Sequence, residues 1–521
     1  MSTAPWLTIM LIVPAVGSLL VALLPRRSAL LAKQLALAVS LVVLVLAVLA
    51  TAAYDPDKAG FQFGQKHEWI KQFGVSYSVG ADGISLVLML LAALLVPVVV
   101  LASWDEADNV NRSVPAFFAL LLALETGMIG VFAATDVFLF YVFFEAMLIP
   151  MYFLIGSYGP VEEKAQRSYA AVKFLLYSLF GGLLMLAAVI GLYVLSSQQF
   201  DTGGTFDFAT LRQHLVITPD TQKLLFLGFF IAFAIKAPLF PFHTWLPDAG
   251  AQSPTGGAVL LVGVLDKVGT FGLIRYCIPL FPDASEYFAP MVLALAVIGI
   301  FYGALLAIGQ RDMKRLVAYT SLAHFGFIAL GTFAFTSQAG TGAVLYMVNH
   351  GLSTGLLFVV VGFLVSRQGS RDVGAYGGMA QVTPMLAGVF LIAGLSSLAL
   401  PGTNSFVSEF LVLVGTFTEY RALAIVATCG IVLAAIYILF LYQRTMTGPV
   451  KDEKLRLVKD LSVRERVVVA PMVALIIGLG VYPKPLLDII TPAVTSTFED
   501  IGKSDPAPTA PVAATQSGGH S

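Results

Sequence analysis

The chain has 521 residues, of which 58% are hydrophobic and only 12% are charged, and its mean hydropathy is +0.86. Soluble domains carry roughly 25% charged residues, so this composition excludes a soluble globular protein. The formal net charge of −1 provides no field that would recruit nucleic acid, and no nucleic-acid partner is expected. The sequence therefore predicts an all-α polytopic membrane protein surrounded by the lipid bilayer.

Apolar runs recur along the whole chain with short polar breaks between them. The first run has no basic region before it and is long enough to span a membrane, so we expect no cleavable signal peptide. A span needs roughly 20 apolar residues, which predicts about fourteen transmembrane helices. The runs lie near residues 5–24, 30–51, 82–104, 115–133, 136–156, 168–196, 223–246, 255–278, 288–309, 316–335, 341–366, 384–418, 421–443 and 466–488.

Two of these runs are interrupted. The run at 223–246 ends in closely spaced prolines, and the run at 384–418 contains LPGTNSF. Interior proline removes a helix hydrogen bond and kinks or stops a helix. At membrane depth such breaks are tolerated only where protein or internal water satisfies the freed backbone groups. We predict two discontinuous helices, with bent structural helices as the alternative.

The two broken spans lie five runs apart, which predicts two inverted five-helix repeats, a pattern typical of transporters. The predicted division is an N-terminal three-helix segment with an outer loop (1–104), a first repeat (115–278), a second repeat (288–443), a cytoplasmic loop with the last helix (444–490) and a disordered tail (491–521).

Lys and Arg are concentrated in alternate connections, most of all in the connection at 444–466. The richer side faces the cytoplasm under the positive-inside rule, which predicts that both termini lie on the outer side.

Ionisable side chains also occur inside the apolar runs. A charge at the bilayer centre costs about 2.5–3.5 kcal/mol on insertion scales, and such residues face the bundle interior and often line proton paths. The alternative is a set of structural ion pairs between helices. These residues are Glu125, Glu145, Lys173, Lys236, Asp266, Lys267, His324, His350 and Glu409.

Glu145 and Lys236 form a hypothetical gate. Glu145 is flanked by apolar residues, and Lys236, just before the first proline break, is its natural partner. Moving the carboxylate towards or away from the lysine would load or unload a proton. Lys267 is interpreted as a central relay, or else as a lysine snorkelling to the helix end. Adjacent helical residues do not face each other, so we expect Asp266 not to neutralise Lys267.

Two histidines fall within later apolar runs. His324 has Ser321 on the same helical face, and His350 has Tyr346 and Thr354 one turn away on either side. Histidine titrates near neutrality and can pass protons in either direction. The alternatives are a satisfied core residue or a haem ligand.

Roles are also predicted for one more proton-pathway residue, Glu409, and for three supporting residues. Glu409, after the second break, is a candidate for the last proton site towards the outer face, or a partner for a neighbouring subunit's cation. Glu125 is expected to pair near the gate, and Lys173 to load protons from the cytoplasmic side. His243 lies at a broken helix end and is expected at the membrane interface.

The two cysteines, Cys277 and Cys429, do not form a CxxC pair. This argues against an iron–sulfur cluster, structural zinc or a disulfide framework. We expect no metal and no cofactor in this chain.

Several long motifs appear in an order that is specific to one family. DVFLFYVFFEAMLIPMYFLIGSYG, FAIKAPLFPFHTWLPDAGAQSPTGGAVLL, RDMKRLVAYTSLAHFGF and LPGTNSFVSEFLVL resemble the antiporter-like proton-pumping subunits of respiratory complex I, from near the start to about residue 490. The resemblance implies fourteen helices with two inverted repeats. It also implies a polar axis through Glu145, Lys236, Lys267, His324, His350 and Glu409.

In the family branch called subunit M, which is related to mitochondrial subunit 4, the broken late helix carries a glutamate, whereas the other branches carry a lysine there. With Glu409 in this helix, the chain resembles the subunit M branch. In this family only the distal subunit has a long lateral amphipathic helix. Nothing after residue 490 is long or apolar enough to form that helix, which favours the same branch. The resemblance implies a bacterial cell-membrane enzyme subunit flanked by two antiporter-like paralogues, with NADH, FMN, iron–sulfur clusters and quinone in other subunits.

One departure is AQSPT at 251–255, where family members often have His and Glu, which leaves the cytoplasmic end of the proton route open. The competing hypotheses are a subunit of a multisubunit Na⁺/H⁺ antiporter or membrane-bound hydrogenase, a quinone- or haem-binding membrane enzyme, and a structural spacer.

Overall fold

The computed structural model describes residues 4–58, 60–109, 112–201 and 203–505. Helices occupy every predicted apolar run, which confirms a helical membrane protein. Up to the first broken span, the elements are α1 (Trp6–Ala22), α2 (Ala29–Ala53), β1 (Gln62–Ile70), β2 (Val75–Ala81), α3 (Gly83–Ala102), α4 (Val114–Ala133), α5 (Val137–Ala146), α6 (Leu148–Tyr158), α7 (Lys164–Gln199), α8 (Phe208–His214), α9 (Pro219–Lys236) and α10 (Trp245–Gln252).

The remaining elements are also helical. Within the described ranges, ten helices are long and apolar enough to cross a membrane, or up to eleven if one pair bent by 70° is counted as a span. The elements are α11 (Thr255–Leu260), α12 (Lys267–Gly272), α13 (Ile278–Leu280), α14 (Pro282–Ile308), α15 (Met313–Phe333), α16 (Ser337–Gln368), α17 (Met379–Val382), α18 (Pro384–Ser397), α19 (Asn404–Glu419), α20 (Arg421–Met446), α21 (Val463–Val481) and α22 (Lys484–Glu499).

The centre of the bundle is the segment Thr255–Leu280, which is buried along its whole length. It alternates α-helical turns with two π-helical stretches, Leu261–Leu265 and Leu273–Cys277. Helices α15 and α16 are also largely buried, whereas α2 and α20 present long apolar faces outward. The inner helices therefore hold the polar residues, and the outer helices separate them from the surroundings.

Both predicted broken spans are present. The first interruption separates α9, which ends at Lys236, from α10, which begins at Trp245. The second separates α18, which ends at Ser397, from α19, which begins at Asn404.

The predicted outer loop is an antiparallel β-hairpin, in which Lys66 pairs with Ser78. The turn contains Gly74 at φ 62°, a left-handed conformation that favours glycine. Strand β1 is mostly exposed and β2 mostly buried, so the hairpin lies as a cap over the bundle.

The predicted boundary of the disordered tail at residue 491 is wrong. Helix α22 extends to Glu499, and the segment is ordered because Ile490, Val494 and Phe498 pack into the core along one face. The helix at 466–488 is correspondingly not the last one. Residues 506–521 of the predicted tail lie outside the described residues.

Asp136 joins the hairpin to the helices. Its Oδ1 accepts hydrogen bonds from Phe138 N at 3.0 Å and Leu139 N at 2.9 Å, which caps α5, and its Oδ2 accepts one from Ser76 N of β2 at 3.0 Å. The residue is fully buried, so no water replaces these bonds.

Replacing Asp136 with alanine should therefore lower the free energy of unfolding by about 2 kcal/mol or more, from a lost cap and buried donors without acceptors. Thermal unfolding of the purified protein in detergent measures this. The free energy of unfolding of Asp136→Asn should lie between those of Asp136→Ala and the unsubstituted protein. Asp488→Ala, which removes an exposed carboxylate of α22, should change it little. Equal unfolding temperatures for Asp136→Ala and the unsubstituted protein would contradict the role of Asp136.

Candidate functional site

The first polar group lies at the end of α5 and the end of α9. The Glu145 carboxylate lies against Gly182 of α7, where a Cβ atom would overlap Oε1. Lys236 Nζ lies 4.8 Å from the ring centroid of Phe144 and 6.0 Å from that of Phe174. Among the described residues, neither Glu145 Oε1 nor Lys236 Nζ has a hydrogen-bond partner.

The structure therefore differs from the expected direct contact, since Glu145 and Lys236 do not approach within the 4.0 Å of an ion pair. They still interact electrostatically, and Asp266 also acts on Lys236. Glu145 is only half-buried, whereas Lys236 is buried. The cation is thus held inside the bundle, and its carboxylate is the more accessible of the two groups.

The second group surrounds Lys267. Its Nζ lies 3.0 Å from Asp266 Oδ1 and 2.6 Å from His350 Nδ1, and it also donates to the carbonyl oxygen of Val262. The expectation that Asp266 does not neutralise Lys267 is wrong. The spacing rule assumes a regular α-helix, but here a π-helical stretch ends at Leu265 and a turn at Asp266 reorients both side chains.

The third group links the two histidines to the second broken span. The rings of His350 and His324 lie 5.2 Å apart and nearly perpendicular. The His324 ring lies 5.9 Å from that of Tyr346, whose hydroxyl donates to Glu409 Oε2 at 2.8 Å. His324 Nε2 donates to the carbonyl oxygen of Ser397, at the break itself, at 3.0 Å. Lys267, His350, His324, Tyr346 and Glu409 thus form a series of neighbouring side chains, which we call the central relay.

Tyr346 was noted in the sequence only as a neighbour of His350, yet it is the connection to Glu409. Ser321, which lies on the same helical face as His324 in the sequence, donates to the carbonyl oxygen of Val317 in its own helix.

A network of small polar residues at the second break was missed by the sequence analysis. Ser396 donates to Asn404 Oδ1 at 2.6 Å, and Ser353 Oγ lies 2.6 Å from Ser396 Oγ and 3.1 Å from Ser405 Oγ. Asn349 donates to the carbonyl oxygen of Asn404 at 2.7 Å. The network joins α19 to α16 and to the end of α18. The repeated Ser and Asn in NHGLSTG and PGTNSF were the available signal.

The supporting residues divide into three cases. Glu125 is buried, and neither carboxylate oxygen has a hydrogen-bond partner among the described residues, so its expected pairing near the gate is absent. Lys173 pairs with Asp248 at 2.8 Å, and Asp248 also binds Arg315 at 2.5 Å. His243 is buried against Phe240 and Tyr302, with ring centroids 5.9 and 5.1 Å away.

The segment 251–255, where the sequence departs from the family pattern, lies at a cavity of about 350 Å³ that we call the inner cavity. Gln252 donates to Glu163 at 2.7 Å, and the Thr255 N–H donates to Glu106 at 2.9 Å. Buried Lys314 donates to the carbonyl oxygen of Ser253 at 3.0 Å. Charged groups from neighbouring elements therefore surround this cavity in place of the expected His and Glu.

Comparison with known proteins identifies the family of this chain. Residues 134–434 match the family model described as NADH:quinone oxidoreductase/Mrp antiporter, TM. NADH-quinone oxidoreductase subunit M of Mycobacterium tuberculosis H37Rv is 49% identical to the chain, over 98% of this chain and 96% of the relative.

Two solved structures have a similar fold. A chain of respiratory complex I from Thermus thermophilus superimposes with a TM-score of 0.85 at 33% identity, covering 95% of this chain and all of that chain. A chain of the Mrp complex from Dietzia sp. DQ12-45-1b gives 0.84 at 20% identity, covering 96% of this chain and 98% of that one, which shows the fold alone. The resemblance found in the motifs is thus confirmed. The chain belongs to the NADH:quinone oxidoreductase/Mrp antiporter membrane family, on its subunit M branch.

Proposed function

We propose that this chain is a proton-translocating membrane subunit of an NADH:quinone oxidoreductase in a bacterial cell membrane. The observation that carries the proposal is the central relay, a buried series of ionisable side chains that runs from Lys267 to Glu409. Proton transfer requires neighbouring groups that gain and release protons. Two links of the relay are hydrogen bonds, Lys267 to His350 and Tyr346 to Glu409, and between them the rings of His350, His324 and Tyr346 lie next to one another. An inert core gains nothing from burying them, because each is costly in a bilayer.

The names of the relatives support the partners. They are subunits of NADH:quinone oxidoreductases, which supports other subunits of such a complex as the partners. From the family resemblance we infer that two antiporter-like paralogues lie on either side of this chain. NADH, FMN, iron–sulfur clusters and quinone belong to other subunits, and electron transfer there provides the driving force. The half-buried position of Glu145 supports a neighbouring subunit that acts on this residue.

Fourteen spans with two inverted repeats complete the proposed topology. This topology is supported by the positions of the two breaks, since one discontinuous helix falls in each repeat: the break after α9 in the first and the break before α19 in the second. The Lys- and Arg-rich connections, which include the rim of the inner cavity, face the cytoplasm. Both termini then lie on the outer side.

The gate works through a change in distance. An approaching Glu145 carboxylate stabilises the protonated Lys236, and its withdrawal leaves a desolvated ammonium that gives up its proton. Asp266, which acts on both lysines, lies where that proton is received before it reaches the central relay. Each proton moved against the field costs about 2.3 kcal/mol per 100 mV, so the gate must close behind it.

The competing functions have less support. Haem ligation by the two histidines is disfavoured because ring centroids 5.2 Å apart leave no room for a porphyrin between them. In the part of the chain that the structure describes, no group of three His, Cys, Asp or Glu is arranged to hold a metal ion. The likeness to the Mrp complex concerns the fold and does not favour sodium transport.

Replacing Lys236 with alanine tests the gate. NADH-driven proton uptake by inverted membrane vesicles, per assembled complex, should fall at least roughly tenfold, since a positioned proton donor contributes about 10²–10⁴-fold. Lys484→Ala, which removes an exposed lysine of α22, should pump normally. Full pumping by assembled Lys236→Ala complexes would favour the spacer hypothesis.

Gly182→Ala tests the position of the Glu145 carboxylate. The added methyl group would occupy the site of Oε1 and displace the carboxylate from α7. A misplacement of about 1 Å can cost up to roughly 100-fold in rate, so we expect a clear loss of pumping with normal assembly. Gly388→Ala, where an added Cβ meets open space, is the matched control. Unchanged pumping by Gly182→Ala would argue against the proposed carboxylate position.

Tyr346→Phe tests the connection between His324 and Glu409. Losing the 2.8 Å hydrogen bond should reduce pumping about tenfold, the equivalent of roughly 1.4 kcal/mol. Tyr376→Phe is the control, because it also removes a buried tyrosine's hydrogen bond but lies far from the central relay. Adding Glu409→Gln to Tyr346→Phe should cause no loss beyond that of Glu409→Gln alone. Additive losses would place the two residues on separate routes.

A further inference from the structure

A second cavity, of about 520 Å³, lies at the hairpin end of the bundle, and we call it the outer cavity. Helix α3 and the segment Thr255–Leu280 each reach from the outer cavity to the inner cavity. Asp82, which caps the start of α3, lines the outer cavity, and Ala102 at the other end of α3 lines the inner one. Thr255 and Arg275, near opposite ends of the segment Thr255–Leu280, line the inner and outer cavities respectively. Lys267 therefore lies between the two cavities.

The innermost polar groups of the outer cavity are an ion pair. Arg275 Nη2 lies 2.5 Å from Asp82 Oδ2, and both residues are 93% buried, with a relative exposure of 7% each. Asp82 Oδ1 also accepts hydrogen bonds from Ser85 N at 3.0 Å and Ser85 Oγ at 2.9 Å. The carboxylate is thus held by several donors and is not free to swing towards Lys267.

Aromatic rings surround the guanidinium group of Arg275. Its central carbon lies 4.9 Å from the ring centroid of Phe61, 5.4 Å from that of Phe271 and 5.9 Å from that of Phe208. Phe271 lies between Lys267 and Arg275 in the chain and packs against Phe132, with centroids 5.2 Å apart. In a regular α-helix, with a rise of about 1.5 Å per residue, Arg275 would lie about 12 Å from Lys267 along the axis, and the Phe271 ring comes from within this interval.

Several donors stabilise the charged form of the Asp82 carboxylate. Burial alone would raise the pKa of Asp82, but Arg275 and the Ser85 hydrogen bonds outweigh it and hold the pKa below its usual value. A relay requires groups that readily gain protons, and a carboxylate held by an ion pair and two Ser85 donors is poorly suited to that role.

The other ionisable groups that line the outer cavity do not alter this conclusion. Burial and the nearby Asp82 raise the pKa of Tyr54 to about 12, so its hydroxyl stays protonated. Arg212 and Asp500 form a second ion pair at 2.5 Å near the mouth of the cavity. Asp57 and Lys58 complete the set.

We propose that the Asp82–Arg275 ion pair and its aromatic surroundings seal the outer cavity against protons. Protons delivered outward then cannot return to Lys267 through the outer cavity. The proposal rests on the proposed proton translocation. It makes Asp82 and Arg275 positioning residues that determine coupling, and it leaves Glu409 as the outward end of the central relay. A fixed positive charge in a narrow, largely apolar passage is a general means of excluding protons.

The test uses the complete complex carrying Asp82→Asn and Arg275→Gln together. Removing both charges avoids the strong destabilisation that follows when one buried partner is left alone. Complexes reconstituted in liposomes receive a potassium diffusion potential with valinomycin, without NADH, and proton influx is followed with an enclosed pH-sensitive dye. We expect severalfold faster passive proton flow per complex, and a smaller steady pH gradient during NADH oxidation whose uncoupled rate is unchanged.

Three further variants make the result specific. Arg212→Gln with Asp500→Asn removes the more exposed ion pair of the same cavity and should not leak. Arg275→Lys keeps the charge and should leak less than the double variant. Adding Lys267→Met to the double variant should suppress the leak, because the proton would have to pass through the relay.

Passive flow equal to that of the unsubstituted complex would overturn the seal. Loss of NADH-driven pumping without any leak would overturn it too, and would assign the pair to a proton exit instead. The leak assay is independent of pumping, so failure of the proposed function would be seen separately, as normal pumping by Lys236→Ala.

Discussion

The cost of holding charge in an apolar bilayer constrains most of this structure. An ammonium or carboxylate at mid-membrane is stable only where protein groups replace water around it. Regular helices offer little, because their backbone groups are already paired, and the chain departs from regular helix beside the lysines of the gate and of the central relay. Lys236 ends α9 at the first break. Lys267 follows a π-helical stretch and binds the carbonyl oxygen of Val262, a backbone group within it.

The second break serves the acidic end of the relay in the same way. At the break before Asn404, a network of Ser and Asn side chains joins α19 to α16 and α18 without introducing another charge. His324 donates a hydrogen bond to the Ser397 carbonyl oxygen at the same break. Glu409 lies just beyond it and is bound by the Tyr346 hydroxyl. The irregular backbone is thus the structural condition for the relay and not a consequence of it.

The sequence predicted the helical runs, both breaks and the buried charges because each leaves a local signal. It missed features that depend on the path of the backbone in space. The Asp266–Lys267 contact arises from π-helical geometry that apolar periodicity does not reveal. The link from Tyr346 to Glu409 joins two helices that are distant in sequence. Helix α22 was taken for a tail because its polar face lowered its hydropathy, although its apolar face packs into the core.

Hydrogen bonding separates the buried ionic groups into two kinds. Arg367 binds Glu465 through two parallel hydrogen bonds of 2.8 and 2.7 Å, and Asp82 with Arg275 is similarly satisfied. Lys236 Nζ and one ring nitrogen of each relay histidine have no hydrogen-bond partner among the described residues. A satisfied pair is fixed, because breaking it leaves a buried charge alone. Lys267 and Glu409 are hydrogen-bonded, but to His350 and Tyr346, which are themselves members of the central relay. We therefore assign proton transfer to the gate and the central relay, and the fixed ion pairs near the ends of the bundle bound this region.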